Sequence, residues 1–140
     1  MIAVTTGCFD ILHKGHTHLI KTMCEASYDS FYYNSVIILN DDNYIRNNKG
    51  REPINDWDTR KSILQSYTYC DVLIARSEDD IIQILKDLKK RDNVILFKGE
   101  EYANKNITGE DIVDSVVLVR RKYDVSTTQI IAQLKSKANV

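Results

Sequence analysis

Five short runs of aliphatic and β-branched residues, 2–6, 35–39, 71–75, 93–97 and 115–119, recur along the chain, with helical periodicity between most of them. A run such as Val36-Ile37-Ile38-Leu39, apolar at every position, suits a strand covered on both faces. Strands separated by helices close through right-handed crossovers, so the expected fold is α/β, a doubly wound five-stranded parallel sheet. The helical segments are marked by Leu19, Ile20 and Met23, by Trp57, Ile63, Leu64 and Tyr67 behind a capping Asp56, and by Ile81, Ile84, Leu85 and Leu88 behind Ser77. A last one carries Ile130, Ile131 and Leu134 after Ser126-Thr127-Thr128. Residues 44–55 are polar and basic and are expected to form a surface loop, while Thr108 is expected to cap a short helix around 110–113. Such sheets bind ligands beyond the carboxyl ends of their strands, so the loops starting at Gly7, Asn40, Lys98 and Arg120 should converge.

At 140 residues the chain fits one domain, residues 1–140, and its short length favours a stand-alone unit with no fused kinase or regulatory domain. Nineteen Lys plus Arg against twenty Asp plus Glu leave a formal charge of -1, which excludes a general attraction to nucleic acid or to an anionic membrane. Cys8, Cys24 and Cys70 form no C-x-x-C pair and are expected to be reduced thiols, as in a cytoplasmic protein. No apolar run is long enough for a signal segment or a membrane span.

Four polar clusters follow strand ends. They are Gly7-Cys8-Phe9-Asp10 with His13-Lys14-Gly15-His16, then Lys49-Gly50-Arg51, then Lys98-Gly99-Glu100-Glu101-Tyr102, and finally Arg120-Arg121 with Ser126-Thr127-Thr128. Two histidines bracketing Lys-Gly before a helix gather ring donors, a cation and backbone N–H groups at one point, and that combination suits a phosphate. Gly15 lets the backbone approach a ligand. Three alternatives stand beside this. His13, His16 and His18 at such spacing are possible metal ligands, as in a metal-dependent hydrolase. His13 and His16 as capping or packing side chains are a second, and His18 as a solvated side chain is the third.

The string GCFDILHKGH resembles the G-x-F-D-x-x-H-x-G-H signature of the cytidylyltransferase-like nucleotidyltransferases, and VSTTQII resembles the S-T-T helix start of the same family. The resemblance extends to Asn40-Asp41-Asp42, to Arg60 within D-x-x-R-K-x-I-L and to the acidic-aromatic turn after Gly99, so that it covers essentially the whole chain. It implies a Rossmann-like nucleotidyltransferase fold and transfer of a nucleoside monophosphate from an NTP to a phosphorylated small molecule, releasing pyrophosphate. That chemistry needs no protein nucleophile, only alignment and neutralisation of charge on the phosphoryl oxygens, which leaves Cys8 without a covalent task. By resemblance His13 and His16 donate to the triphosphate, Lys49 and Arg121 supply charge, and Ser126, Thr127 and Thr128 offer hydroxyls and helix N–H groups. Gly7, Cys8, Phe9, Asp10, Gly15, Arg60, Lys98, Gly99 and Glu100 complete the expected nucleotide site, with Arg60 as a phosphate ligand and, for Asp10, fixing of the loop through backbone N–H bonds as the alternative. No metal ligand is assigned, and Mg²⁺ is expected with the NTP. A homodimer is the implied assembly, with Tyr28, Phe31, Tyr32 and Tyr33 as core packing or contact surface.

Two subgroups compete for the substrate. Glycerol-3-phosphate cytidylyltransferases carry R-T-E-G-I-S-T-T, matched by Arg121 and the hydroxyl triplet but with Asp124 in place of the glycine; Glu100 would accept from the cytosine amine. Heptose-1-phosphate adenylyltransferases show K-G-x-D-Y and K-G…R-P-x-N, which Lys98-Gly99-Glu100-Glu101-Tyr102 and Lys49-Gly50-Arg51-Glu52-Pro53-Ile54-Asn55 resemble. The balance tilts slightly to CTP and glycerol 3-phosphate. A nucleotide-binding module without turnover is the non-enzymatic alternative.

Overall fold

The computed structural model describes residues 1–27, 34–122 and 125–138. Its elements run β1 (Ile2–Gly7), α1 (Lys14–Ser27), β2 (Ser35–Asn40), α2 (Asp42–Lys49), α3 (Trp57–Tyr67), β3 (Asp71–Ala75), α4 (Glu78–Lys89), β4 (Val94–Gly99), a 3₁₀ turn (Glu100–Tyr102), β5 (Ser115–Val119) and α5 (Thr127–Ala138). The five strands form one parallel sheet in the order β3-β2-β1-β4-β5. The chain winds outward from β1 to β3 and then crosses back to β4, so the switch in strand order lies between β1 and β4.

Alternation along the strands sorts the core into two layers. Ile2, Val4, Val36, Ile38, Val94 and Leu96 meet Ile81, Leu85 and Leu88 of α4 on one face. Ala3, Ile37, Leu39, Val72 and Phe97 meet Ile20 and Met23 of α1 and Leu64 of α3 on the other. Burying each such side chain contributes roughly 1.5–3 kcal/mol. Caps set the helix starts as the residues dictate: Asp56 accepts from Thr59 N–H and Ser77 from Asp80 N–H.

Three departures from the expected elements bear on the site. β2 and β4 run past their aliphatic stretches, because ladder pairing depends on the backbone: Asn40 pairs with Ala75 and Lys98 with Leu118. These two polar side chains therefore project from strands. Residues 44–55 are not all loop, since Asp41 accepts from Tyr44 N–H as an N-cap, Ile45 anchors the turn in the core, and Gly50 closes α2 at φ 65°. Residues 110–113 form turns instead of a helix; Gly109 at φ 87° breaks the αR path there, and Ile107 and Val113 pin the segment to the core.

Cys24 and Cys70 lie with their Sγ atoms 3.5 Å apart as thiols. Among the described residues no helix is long and apolar enough to cross a membrane. Tyr28, Phe31, Tyr32, Tyr33 and Asp124 lie outside the described residues.

Candidate active site

The loops starting at Gly7, Asn40, Lys98 and Arg120 do converge, together with the first turn of α5, around a cleft of about 660 Å³ at the carboxyl edge of the sheet. The loop after β1 is held in a demanding conformation. Phe9 and Ile11 both have positive φ, 46° and 53°, which costs a side-chain-bearing residue about 1–2 kcal/mol each. Asp10 between them offsets that cost. Its buried carboxylate accepts from Arg51 Nη1 at 2.9 Å, Ile54 N–H at 2.8 Å and Asn55 N–H at 2.9 Å, and its carbonyl accepts from the Thr127 hydroxyl. Burial alone would raise its pKa, but these hydrogen bonds and the Arg51 charge hold it below the usual carboxylate range. Asp10 thus joins the first loop, the segment after α2 and the start of α5.

His13 and His16 form a stacked pair, ring centroids 3.7 Å apart and planes 19° from parallel. His13 caps α1: its Nδ1 accepts from Gly15 N–H at 3.0 Å and His16 N–H at 3.4 Å. His16 Nδ1 accepts in turn from His13 N–H at 3.3 Å. With Nδ1 an acceptor in both rings, each neutral imidazole carries its proton on Nε2. Burial, and then the nearby Arg121 charge, lower the His13 pKa; burial, and then His13, push His16 down to about 3 against the opposing pull of Asp10. At neutral pH the cleft therefore holds two uncharged Nε2–H donors locked by backbone. A Cβ on Gly15 would sit 2.9 Å from His13 Cε1, so the glycine is required by the ring stacked over it.

Lys98 is 7% exposed, and its ammonium donates to the Thr6 carbonyl at 2.9 Å and hydroxyl at 3.0 Å while lying 4.4 Å from the Tyr102 ring centroid. Desolvation lowers its pKa to about 8. Nearby, buried Asn40 donates to Cys8 Sγ and its Oδ1 has no hydrogen-bond partner. Tyr44 and Tyr102 also line the cleft, and burial raises both phenol pKa values.

Residues 4–138 match the family model described as cytidylyltransferase-like. The chain belongs to the cytidylyltransferase-like family of nucleotidyltransferases. It is 36% identical over 137 residues to the bifunctional protein HldE of Aliarcobacter butzleri (strain RM4018), covering 96% of this chain and 27% of that protein. With the bifunctional protein HldE of Helicobacter pylori (strain J99 / ATCC 700824) it is 34% identical over 139 residues, covering 99% of this chain and 28% of that protein. The chain thus spans little more than a quarter of the length of these curated relatives. Among solved structures it is similar to a lipopolysaccharide core biosynthesis protein from Thermoplasma volcanium GSS1, with a TM-score of 0.62, 29% identity, and coverage of 89% of this chain and 99% of that chain.

For a cytidylyltransferase-like chain, most expected site residues gather where the motifs imply. Gly7, Cys8, Phe9, Asp10, His13, Gly15, His16, Lys49, Lys98, Gly99, Arg121, Ser126, Thr127 and Thr128 all line the cleft. Ser126 and Gln129 cap α5 reciprocally, each accepting from the other's backbone N–H at 3.1 Å; Thr127 and Thr128, in the first turn whose N–H groups have no intrahelical partner, line the cleft.

Two expectations are corrected. Arg60 is 1% exposed and is not a phosphate ligand: it donates to the carbonyls of Asn55, Cys8 and Asn40 and to the Asp42 carboxylate, clamping three chain segments beneath the cleft. Glu100 is exposed, lies outside the lining and accepts from Arg121 N–H at 2.9 Å; Glu101 lines the cleft instead. His18 is half-buried, with its Nε2 3.2 Å from the Arg120 carbonyl in a contact open to solvent. Among the described residues no three His, Cys, Asp or Glu gather as metal ligands would, which leaves the three-histidine alternative unsupported. Arg51 was visible in the sequence as part of a basic cluster, yet only the fold reveals that it serves Asp10.

Proposed function

We propose that this chain transfers an adenylyl group from ATP to the phosphate of a phosphorylated sugar such as a heptose 1-phosphate, with release of pyrophosphate. The observation that carries the reaction class is the stacked histidine pair, two neutral Nε2–H donors fixed by backbone beside the first turn of α5. Donors that need no reorganisation stabilise charge as it grows on phosphoryl oxygens, and one such donor is worth about 10²–10³ in rate. Helix N–H groups at Thr127 and Thr128 would take the outer phosphates, and Lys49 and Arg121 would offset their charge. With the attacking and leaving oxygens held in line, no covalent enzyme intermediate is required. The Asp10 carboxylate is spent on loop bonds, so the donor set fits Mg²⁺ arriving on the triphosphate better than a resident ion.

Two observations favour this pairing over cytidylyl transfer to glycerol 3-phosphate, one bearing on the base and one on the acceptor. Glu100, the expected acceptor for a cytosine amine, is turned onto Arg121 N–H. The relatives bear the name bifunctional protein HldE, and the solved neighbour is named for lipopolysaccharide core biosynthesis, in keeping with a sugar-phosphate acceptor. The test is pyrophosphate release from each of four NTPs against heptose 1-phosphate and glycerol 3-phosphate. ATP with the heptose phosphate should dominate, and His16→Ala should lower kcat by about a hundredfold or more. Preference for CTP with glycerol 3-phosphate would reverse the substrate assignment, and an unimpaired His16→Ala would remove the histidine role. The assembly we propose is a homodimer, which sedimentation as a monomer at assay concentration would disprove.

A further inference from the structure

The three cysteines fall at two edges of the sheet. Cys8 follows β1 at the carboxyl edge and lines the cleft. Cys24 and Cys70 meet at the amino edge, since Cys24 lies in the last turn of α1 and Cys70 immediately precedes β3. Beside them Ser27 Oγ meets Ser35 Oγ at 2.8 Å, where α1 reaches the start of β2. The two Sγ atoms are 3.5 Å apart although 46 residues separate them in the chain. A disulfide bond of about 2.05 Å asks them to approach by about 1.5 Å more. Thr68 holds the inner member in place: its hydroxyl oxygen accepts from Cys70 N–H at 3.3 Å, lies 3.0 Å from Cys70 Sγ and reaches Cys24 Sγ at 3.8 Å.

The two thiols differ in access. Cys70 is 5% exposed, and its hydrogen bond to Cys24, then burial, push its thiol pKa up against the opposing pull of Thr68, so it is protonated at neutral pH. Cys24 is half-buried and lines a groove of about 370 Å³ between α1 and the end of α3, with Tyr67 and Tyr69 along it and the exposed Lys21–Glu25 ion pair at its rim. A reagent in that groove reaches Cys24 and not Cys70. Such a pair, one sulfur accessible and the other buried in contact with it, has the arrangement that thiol–disulfide exchange uses, an attacking thiol and a resolving one.

We infer that Cys24 and Cys70 form a thiol–disulfide exchange site, at which a small-molecule disulfide such as glutathione disulfide cross-links α1 to the start of β3. Cys24 gives its proton to solvent and its sulfur attacks one sulfur of the reagent; that S–S bond breaks, and one glutathione leaves as a thiolate that takes up a proton. Cys70 loses its proton in turn and attacks the Cys24 sulfur of the mixed disulfide, releasing the second glutathione. Two protein thiols are thereby oxidised to one disulfide, and the reagent is reduced to two thiols. The cross-link closes a long loop and so restricts the unfolded chain, fastening the fold at the edge away from the histidine pair. It is independent of the transferase reading.

The test is to incubate the folded wild-type chain with excess glutathione disulfide at mildly alkaline pH, alkylate the remaining thiols and map the peptides without reduction. A Cys24–Cys70 cross-linked peptide without Cys8 is expected, with a thermal midpoint roughly 5–15 °C above that of the reduced protein and a return to the lower value on adding reductant. Cys70→Ala, which keeps an apolar side chain at the buried position, should stop at one glutathione on Cys24. Cys24→Ser should leave Cys70 unmodified, and neither variant should show the rise in midpoint. Two alkylatable thiols at positions 24 and 70 in treated wild type, a mixed disulfide on Cys24 that Cys70 never resolves, or a cross-link that lowers the midpoint would overturn the site. Glutathione uptake at Cys70 in Cys24→Ser would overturn the order of attack.

Discussion

Mild acid should destabilise this protein through His16 before its carboxylates take up protons. The ring is stacked on His13 at 3.7 Å, its Nδ1 accepts a backbone N–H, and its pKa is pushed down to about 3 by burial and by His13, with Asp10 opposing. In the unfolded chain the same imidazole titrates near 6.5. Between those values the unfolded state binds the extra proton, so the stabilisation is complete above about pH 6.5 and is lost as pH falls toward 3. One pH step within the window costs about 1.4 kcal/mol, which makes the loss about 2 kcal/mol at pH 5 and about 5 kcal/mol once the folded-state pKa is passed. Against a typical domain stability of roughly 5–15 kcal/mol, that is a large share. Asp10 is held below the usual carboxylate range, so its own contribution is lost only at lower pH than the range from 7 to 5. Urea unfolding followed by circular dichroism at pH 7, 6 and 5, for wild type and His16→Gln, isolates the effect. Wild type should lose about 2 kcal/mol more than the variant between pH 7 and 5. Parallel pH profiles would refute the reasoning and mean that His16 is not held neutral by its surroundings.

Other consequences follow from the clamp, the enclosed lysine and the glycine. Arg60→Met leaves the carbonyls of Asn55, Cys8 and Asn40 and the Asp42 carboxylate without their donor, so the urea midpoint should fall by the equivalent of about 3–5 kcal/mol; full stability with weakened ATP binding would restore a ligand role. The Lys98 ammonium, with its pKa pushed down to about 8, should lose its proton as pH rises, so kcat/KM in the pyrophosphate-release assay should decline above about pH 8. In Lys98→Arg that decline should move above pH 10, roughly, and an unmoved limb would assign it to another group. Gly15→Ala drives a methyl against the His13 ring at 2.9 Å and should cut kcat by about tenfold or more with little change in thermal midpoint; wild-type kcat would show that ring placement is not limiting.

Much of the site was legible because its chemistry is local. The spacing of His13, Gly15 and His16 is short enough that one helix start and its cap fix their relation, and the Ser126-Thr127-Thr128 triplet declares a helix N-terminus by residue type alone. Asp41 shows the limit of such reading. An Asp-Asp-Asn run favours both a turn and an N-cap, and what decides for α2 is the burial of Ile45 in the core, which local pattern does not disclose. Likewise β4 reaches Lys98 and Gly99 because β5 is there to pair with them.

The alternation of the five strands with most of the helices, the α/β class and the residue types of the polar loops were legible in the sequence itself, since periodicity and caps act within a few residues. What each polar group does with its hydrogen bonds was decided only by tertiary structure. Arg60 meets a carbonyl 52 residues away and Asp10 a hydroxyl 117 residues away, and Glu100 turns to a backbone N–H 21 residues on. The physical reason is that a guanidinium or carboxylate has a fixed number of bonds to give, and the fold determines whether they are spent inside the protein or left for a ligand.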